Sequence, residues 1–186
     1  MEADVNSPAR SGPPILVIMG VSGSGKSTVA ALVADALGWD LLEGDDLHPR
    51  SNVEKMAAGR PLGDADRAPW LASIGEWIRD HTARGRPGVV TCSALRRSYR
   101  DDLAGANVVF VHLAGTREQI RERLRTRHGH YMPADLLDSQ FAAFEPLEPD
   151  EAAIVVGIGD EPAAIASEIV GRATEWMHGT DVNPRP

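Results

Sequence analysis

Gly20-Val21-Ser22-Gly23-Ser24-Gly25-Lys26-Ser27 is the stretch that decides the fold. It matches the pattern G-x-x-x-x-G-K-S/T at every fixed position. Its flanks agree with it. The apolar run Ile15 to Met19 precedes it and reads as a strand buried on both faces. After it, Val29, Leu32, Val33, Ala36 and Leu37 recur at helical spacing from Lys26 onward. A strand, a glycine-rich turn and a helix start are what a phosphate cradle requires. Glycines let backbone N–H groups turn inward around phosphate oxygens, and the helix N-terminus adds positive potential. Lys26 is placed to reach the outer phosphates of ATP, and the Ser27 hydroxyl to ligate magnesium. The cradle is expected to run from Gly20 through Thr28. A dinucleotide-binding turn fits worse, because Gly20, Gly23 and Gly25 do not follow G-x-G-x-x-G and Lys26 would have no role.

Outward from the cradle, strand and helix signals alternate. Further strands are predicted at Trp39–Leu42, Val89–Cys92, Val108–Leu113 and Ala152–Val156. Helices are predicted at 51–58, from Pro69 and Trp70 through Ile78, at 96–103, 116–127, 134–144 and 162–176. Thr116 and Gln119 form a capping box for one of them. Alternation of this kind predicts an α/β fold, a P-loop nucleotide-binding domain with a five-stranded parallel sheet and helices on both faces. Residues 14–176 form a single domain. Residues 1–13 and 177–186 are polar tails. The segments 45–70 and 123–133 interrupt the alternation and are expected to be an acceptor-binding insertion and a lid.

The chain has 186 residues, 42% hydrophobic and 25% charged, a composition that fits one soluble globular domain rather than a disordered chain. The net charge of −8 argues weakly against a nucleic-acid-binding surface. Cys92 is the only cysteine, so no internal disulfide forms, and as the last residue of a strand it reads as inert core. The six histidines lack zinc-ligand spacing. There is no secretory start and no run of about 18 apolar residues, so no membrane span is expected and the cytoplasm is the expected compartment. No guanine-specificity segment of a switch GTPase stands out, and the chain is short for a motor. A small-molecule kinase remains, with a non-catalytic nucleotide-binding regulator and a nucleic-acid-modifying kinase as minor rivals.

In an open parallel sheet the ligand crevice lies at the carboxyl ends of the strands. The second strand ends at Asp45 and Asp46. A carboxylate there can orient an acceptor hydroxyl and take its proton; Asp45 is the first candidate, with Asp46 and His48 beside it. Arg67 can pair with an anionic acceptor through its forked donors. Asp64 and Asp66 either accept from hydroxyls or cap the helix near Trp70, itself read as a packing anchor. Arg96, Arg97 and Arg100 follow the third strand and suit a carboxylate or phosphate ligand, or else form a solvated face. Arg123 and Arg127, four apart, share one helix face, where they can close over the transferring phosphoryl group; Arg121 and Arg125 share another. Gly129 supplies the mobility that a lid needs.

These residues also carry a resemblance to a family. The stretches Glu43 to Pro49 (EGDDLHP), Gly59 to Leu71 (GRPLGDADRAPWL), Cys92 to Asp102 (CSALRRSYRDD) and Arg123 into Gly129 to Pro133 (GHYMP) are similar to those of the gluconokinase family, among the nucleoside-monophosphate-kinase-like P-loop kinases. The resemblance spans about residues 14–176. It implies phosphorylation of D-gluconate by ATP to 6-phospho-D-gluconate, magnesium dependence and a homodimer. It implies that Asp45 faces the acceptor hydroxyl, that Arg67, Arg97 and Arg100 bind the acceptor, and that Arg123 and Arg127 are lid arginines. His48 and His130 are expected on the acceptor side. Tyr131 stands where Phe is common in the family. Shikimate kinase is the nearest alternative, but the chain has Ser93 to Arg97 where that enzyme carries a glycine-rich acceptor segment.

Overall fold

The computed structural model describes residues 12–126 and 134–178. Five strands form one parallel sheet: β1 (Ile15–Met19), β2 (Asp40–Leu42), β3 (Gly88–Thr91), β4 (Val108–Ala114) and β5 (Ala153–Gly157), in the order β2-β3-β1-β4-β5. β1 is central. All five of its residues are fully buried, which is why it reads as an unbroken apolar run rather than an alternating one. The strand's two-residue period divides it between two cores. Leu16 and Ile18 pack with Val29 and Val33 of α1 (Lys26–Leu37) and Ile165 and Ile169 of α7 (Pro162–Met177). Ile15, Val17 and Met19 pack with Trp70, Ile74 and Ile78 of α3 (Asp64–Ala83) and Leu103 of α4 (Arg97–Leu103). The sheet is thus covered on both faces, as expected.

A 3-10 turn (Gly44–Leu47) and α2 (Arg50–Ala57) lead from β2 to α3, and α5 (Arg117–Thr126) and α6 (Ala134–Ala143) lie between β4 and β5. Local chemistry sets the boundaries. Gly38 ends α1 in the left-handed conformation, φ 65°, with its N–H returned to the Ala34 and Asp35 carbonyls. Thr116 and Gln119 cap α5 reciprocally: each side chain accepts from the other's backbone N–H, at 2.8 and 3.2 Å.

One helix boundary differs from expectation. Pro69 and Trp70 were expected near a helix start, but α3 begins at Asp64 and Pro69 lies inside it. Proline forfeits the bond to the Ala65 carbonyl. Asp66 offsets this by accepting from the Gly63 N–H at 2.9 Å and from Lys55 Nζ at 2.6 Å, which fixes the first turn and ties it to α2. Asp66 is therefore a capping residue. Asp64 is likewise engaged, by Arg96 at 3.0 Å and by the Tyr99 hydroxyl. Among the described residues no helix is long and apolar enough to cross a membrane.

Candidate active site

The loop from Gly20 to Gly25 leaves β1 and enters α1. Gly20, Gly23 and Gly25 all have positive φ, 143°, 84° and 98°, which side-chain-bearing residues rarely adopt. Gly25 is the N-cap of α1, and no side chain caps the helix. Its first-turn N–H groups thus have no side-chain acceptor, and no acidic residue stands in the first turn. This is an anion cradle in its chemistry as well as its pattern. Lys26 Nζ donates to the Gly20 and Val21 carbonyls, both at 3.1 Å, an arrangement that a phosphate oxygen can replace. Burial pushes the Lys26 ammonium below the ordinary lysine value, and the nearby charges of Asp45 and Glu43 oppose that shift. Ser27 and Thr28 are exposed at the helix start, so the Ser27 hydroxyl is free to meet a phosphate-bound cation. Among the described residues no cluster of three or more His, Cys, Asp or Glu side chains is placed to hold a metal ion. A magnesium ion here would come with the nucleotide, held by phosphate oxygens and Ser27.

The loop forms a wall between two cavities. One, of about 520 Å³, is lined by Gly23, Gly25, Thr28, Arg123 and the 159–162 turn after β5. The other, of about 280 Å³, is lined by Ser22, Lys26, Asp45, His48, Arg67, Trp70, Ser93 and residues of α2, the α2–α3 connection and α6. The carboxyl ends of the strands thus open onto both.

Asp45 is presented to the second cavity by a fixed support. The Gly44 N–H donates to Thr91 Oγ1 at 3.0 Å, the Thr91 hydroxyl donates to the Glu43 carboxylate, and Trp70 Nε1 donates to the Gly44 carbonyl at 2.7 Å. A side chain at position 44 would collide with the Thr91 carbonyl. Gly44 is therefore held on both backbone groups, and the Asp45 carboxylate, 74% exposed, projects from it into reach of a ligand. His48 stacks on Trp70 at 4.3 Å and is almost fully buried. The Asn52 amide donates to its Nδ1 at 3.3 Å, which assigns the ring proton to Nε2, the nitrogen facing Asp45 Oδ1 at 3.9 Å. Burial pushes His48 below the ordinary histidine value against the opposing charge of Asp45, and Arg67 adds to the shift, which favours the neutral ring. Arg67 donates to the Leu62 carbonyl at 2.5 Å and lies 5.7 Å over the Tyr99 ring. It makes no direct ion pair with a carboxylate among the described residues, although its charge is felt by Asp64 and Asp66.

Two expected acceptor-binding arginines are not brought here. Arg97 forms a two-pronged pair with Asp150, both bonds at 2.9 Å, and a further bond to Asp101 at 2.7 Å, and it does not line the smaller cavity. Arg100 is fully buried, and all three guanidinium nitrogens are engaged: by Glu151 at 2.5 and 3.1 Å, and by the carbonyls of Ala94, Leu95, Glu145 and Pro146. Both anchor the 145–151 segment to α4. Apart from Asp101, the carboxylates that claim them lie some 50 positions away in sequence, which the local basic cluster could not reveal. Cys92 is buried, and desolvation pushes its thiol up to about 12, which fits an inert core residue.

Arg123 faces the loop: it donates to the Ser24 carbonyl at 3.3 Å and to the Ile158 and Asp160 carbonyls. Arg121 instead pairs with Asp138 of α6 at 3.1 Å, and Arg125 with Glu122 at 2.8 Å. Arg127 and His130 lie outside the described residues. Gln140 was missed by sequence reading. Its carboxamide bonds Ser22 twice, at 2.7 and 3.1 Å. The available signal was its place one helical turn from Leu136 and Ala143, a polar residue on a face that lines the cavity.

Comparison with known proteins agrees with this geometry. A family model described as an AAA domain matches residues 15–147. A gluconokinase of Gluconobacter oxydans (strain 621H) is 49% identical over 160 residues, covering 85% of this chain and 90% of that protein. The crystal structure of a gluconokinase from Sinorhizobium meliloti 1021 superposes with a TM-score of 0.82 at 42% identity, covering 91% of this chain and 97% of that one. An unliganded sugar kinase from Janibacter sp. HTCC2649 gives 0.79 at 44% identity, covering 89% and 95%. On a P-loop core that the broader AAA-domain model also matches, the chain belongs to the gluconokinase family.

Proposed function

We propose that the chain transfers the terminal phosphoryl group of ATP to the 6-hydroxyl of D-gluconate, giving ADP and 6-phospho-D-gluconate. The observation that carries this reading is the phosphate loop shared by two cavities, one of which holds an exposed carboxylate and a guanidinium with no direct carboxylate pair among the described residues. Transfer requires a donor and an acceptor on either side of the same phosphoryl group, and that is the division the loop makes. An acceptor that suits the 280 Å³ cavity offers a hydroxyl to Asp45 at one end and an anionic group to Arg67 at the other. Gluconate, an open-chain polyhydroxy acid, has both.

Asp45 orients the 6-hydroxyl and takes its proton. Neutral His48, with its proton on Nε2, donates to an acceptor oxygen. Arg67 binds the carboxylate. Lys26 and the loop N–H groups hold the outer phosphates and stabilise charge as it develops there. Arg123 stands over the loop from the donor side; Arg127 and His130 keep the lid and acceptor roles that the family implies. Ser27 is the side chain that would hold a magnesium ion bound with ATP, which would supply neutralisation of phosphate charge there. A homodimer in the cytoplasm completes the proposal, and light scattering at micromolar concentration checks the dimer.

The test is an acceptor panel with ATP and magnesium: gluconate, shikimate, glycerate and nucleoside monophosphates, read by ADP release and product mass. Gluconate is expected to be turned over far faster than the others. Inert gluconate, or preferred phosphorylation of shikimate, would overturn the reading.

A further inference from the structure

The phosphate loop is held in part by itself and by the segment that follows β3. The Ser24 N–H donates to the Val21 carbonyl at 3.2 Å and the Gly20 N–H to the Ser93 carbonyl at 3.3 Å. Ser22 differs. Its N–H donates to Gln140 Oε1 at 2.7 Å, and Gln140 Nε2 donates back to Ser22 Oγ at 3.1 Å, across 118 positions of sequence. Two antiparallel bonds fix orientation as well as distance. Gln140 is carried on α6, whose Leu136, Ser139 and Ala143 line the proposed acceptor cavity. Asp138 ties α6 to α5 through Arg117 and Arg121, both at 3.1 Å. α5 in turn brings Arg123 to the Ser24 carbonyl, on the donor side of the same loop. Two linked helices therefore grip the loop at two points, one facing each cavity.

We infer that Gln140 is a positioning residue that couples the two sites: through Ser22 it makes nucleotide and acceptor binding cooperative. The inference rests on reading the smaller cavity as the acceptor site. An acceptor packed against α6 fixes Gln140, Gln140 fixes Ser22, and the loop is then ordered for phosphate; the reverse path has the same strength, because binding linkage is reciprocal.

Calorimetry on the full chain tests this. Gluconate is titrated with and without an unreactive ATP analogue and magnesium. In the wild type the analogue is predicted to tighten gluconate by about fivefold or more, at the lower end of usual couplings, and gluconate to tighten the analogue equally. In Gln140→Leu the ratio is predicted to fall to within about twofold of unity, while the analogue alone binds within about threefold of wild type. A residue that merely supports the fold would change both affinities and leave their ratio. Gln140→Glu can accept from both the Ser22 N–H and hydroxyl, and is predicted to retain part of the coupling. Ser22→Ala removes only the Oγ bond and is predicted to lose part of it, which serves if the leucine variant does not fold. A wild type without coupling, or a folded Gln140→Leu with the full ratio, overturns the inference alone. Gluconate that binds no state of the wild type overturns the acceptor reading and this inference with it.

Discussion

Arg67 and Arg100 stand in similar sequence surroundings and end in opposite roles. Each lies in a polar segment after a strand, close to other charged residues, and each reads as a ligand for an anionic acceptor. Arg67 reaches the cavity beside the phosphate loop with no carboxylate paired to it among the described residues. Arg100 is buried and clamped by Glu151 and four backbone carbonyls. The difference is not in the arginines but in what meets them. Asp64 and Asp66, the acids nearest Arg67, are already engaged by Arg96, Tyr99, Lys55 and the Gly63 N–H. Glu151 also accepts from the Glu148 N–H at 2.8 Å, yet it binds Arg100 through both carboxylate oxygens in the protein interior. Arg67 keeps its guanidinium at a cavity while its neighbouring acids turn to other donors, whereas Arg100 is buried together with its acid.

The comparison is open to attack by substitution. Arg100→Ala leaves Glu151 buried without its partner, and is predicted to destabilise the fold by about 3–5 kcal/mol in denaturant unfolding. Unchanged stability would remove the structural role. Asp45→Asn keeps size and some hydrogen bonding but removes the base. It is expected to lower kcat by at least about a hundredfold, with the gluconate KM moving much less. Normal turnover at saturating gluconate would shift the role to Asp46. Arg67→Ala removes a charged bond to substrate worth about 1.5–3 kcal/mol, so the gluconate KM should rise roughly tenfold to a hundredfold while the ATP KM stays near wild type.

Arg100 also bears on pH. His112 stacks on Phe144 at 4.7 Å, and burial, aided by the Arg100 charge, pushes its pKa down to about 4. The unfolded chain binds this proton near pH 6.5 and the folded chain only near 4. Between those values the unfolded state carries more protons, so stability falls as pH falls and the loss levels off below 4. Unfolding curves of wild type and His112→Gln should therefore diverge across that window, the wild type losing up to about 3 kcal/mol more. Parallel curves would mean that His112 is not held neutral. The smallest effect is expected at Arg97, whose pairs with Asp101 and Asp150 are at the surface: Arg97→Ala should leave the unfolding midpoint nearly unchanged and the gluconate KM within about twofold. A tenfold rise there would restore Arg97 to the acceptor site.

What the sequence made legible follows from how local each determinant is. The buried run of β1, the glycine loop, the Thr116–Gln119 cap and the position of Asp45 at a strand end are set by residues within a few positions of one another. The start of α3 was obscured because Pro69 looks like a start signal, whereas the Asp66–Gly63 cap and the Lys55 pair make an earlier start stable. The strand order, the destinations of Arg97 and Arg100, and the Gln140–Ser22 contact depend on partners separated by about 50 to 118 positions. Such pairings are a property of the folded chain, and charge or periodicity along a segment does not encode them.

The central claim is that gluconate lies between Asp45 and Arg67, across the phosphate loop from the nucleotide. A crystal structure of the chain with gluconate, magnesium and an unreactive ATP analogue tests it most directly. The account predicts the 6-hydroxyl within hydrogen-bond distance of an Asp45 oxygen and the carboxylate on the Arg67 guanidinium, with Arg100 still bound to Glu151. A carboxylate held by Arg97 or Arg100, or a 6-hydroxyl out of reach of Asp45, would contradict it.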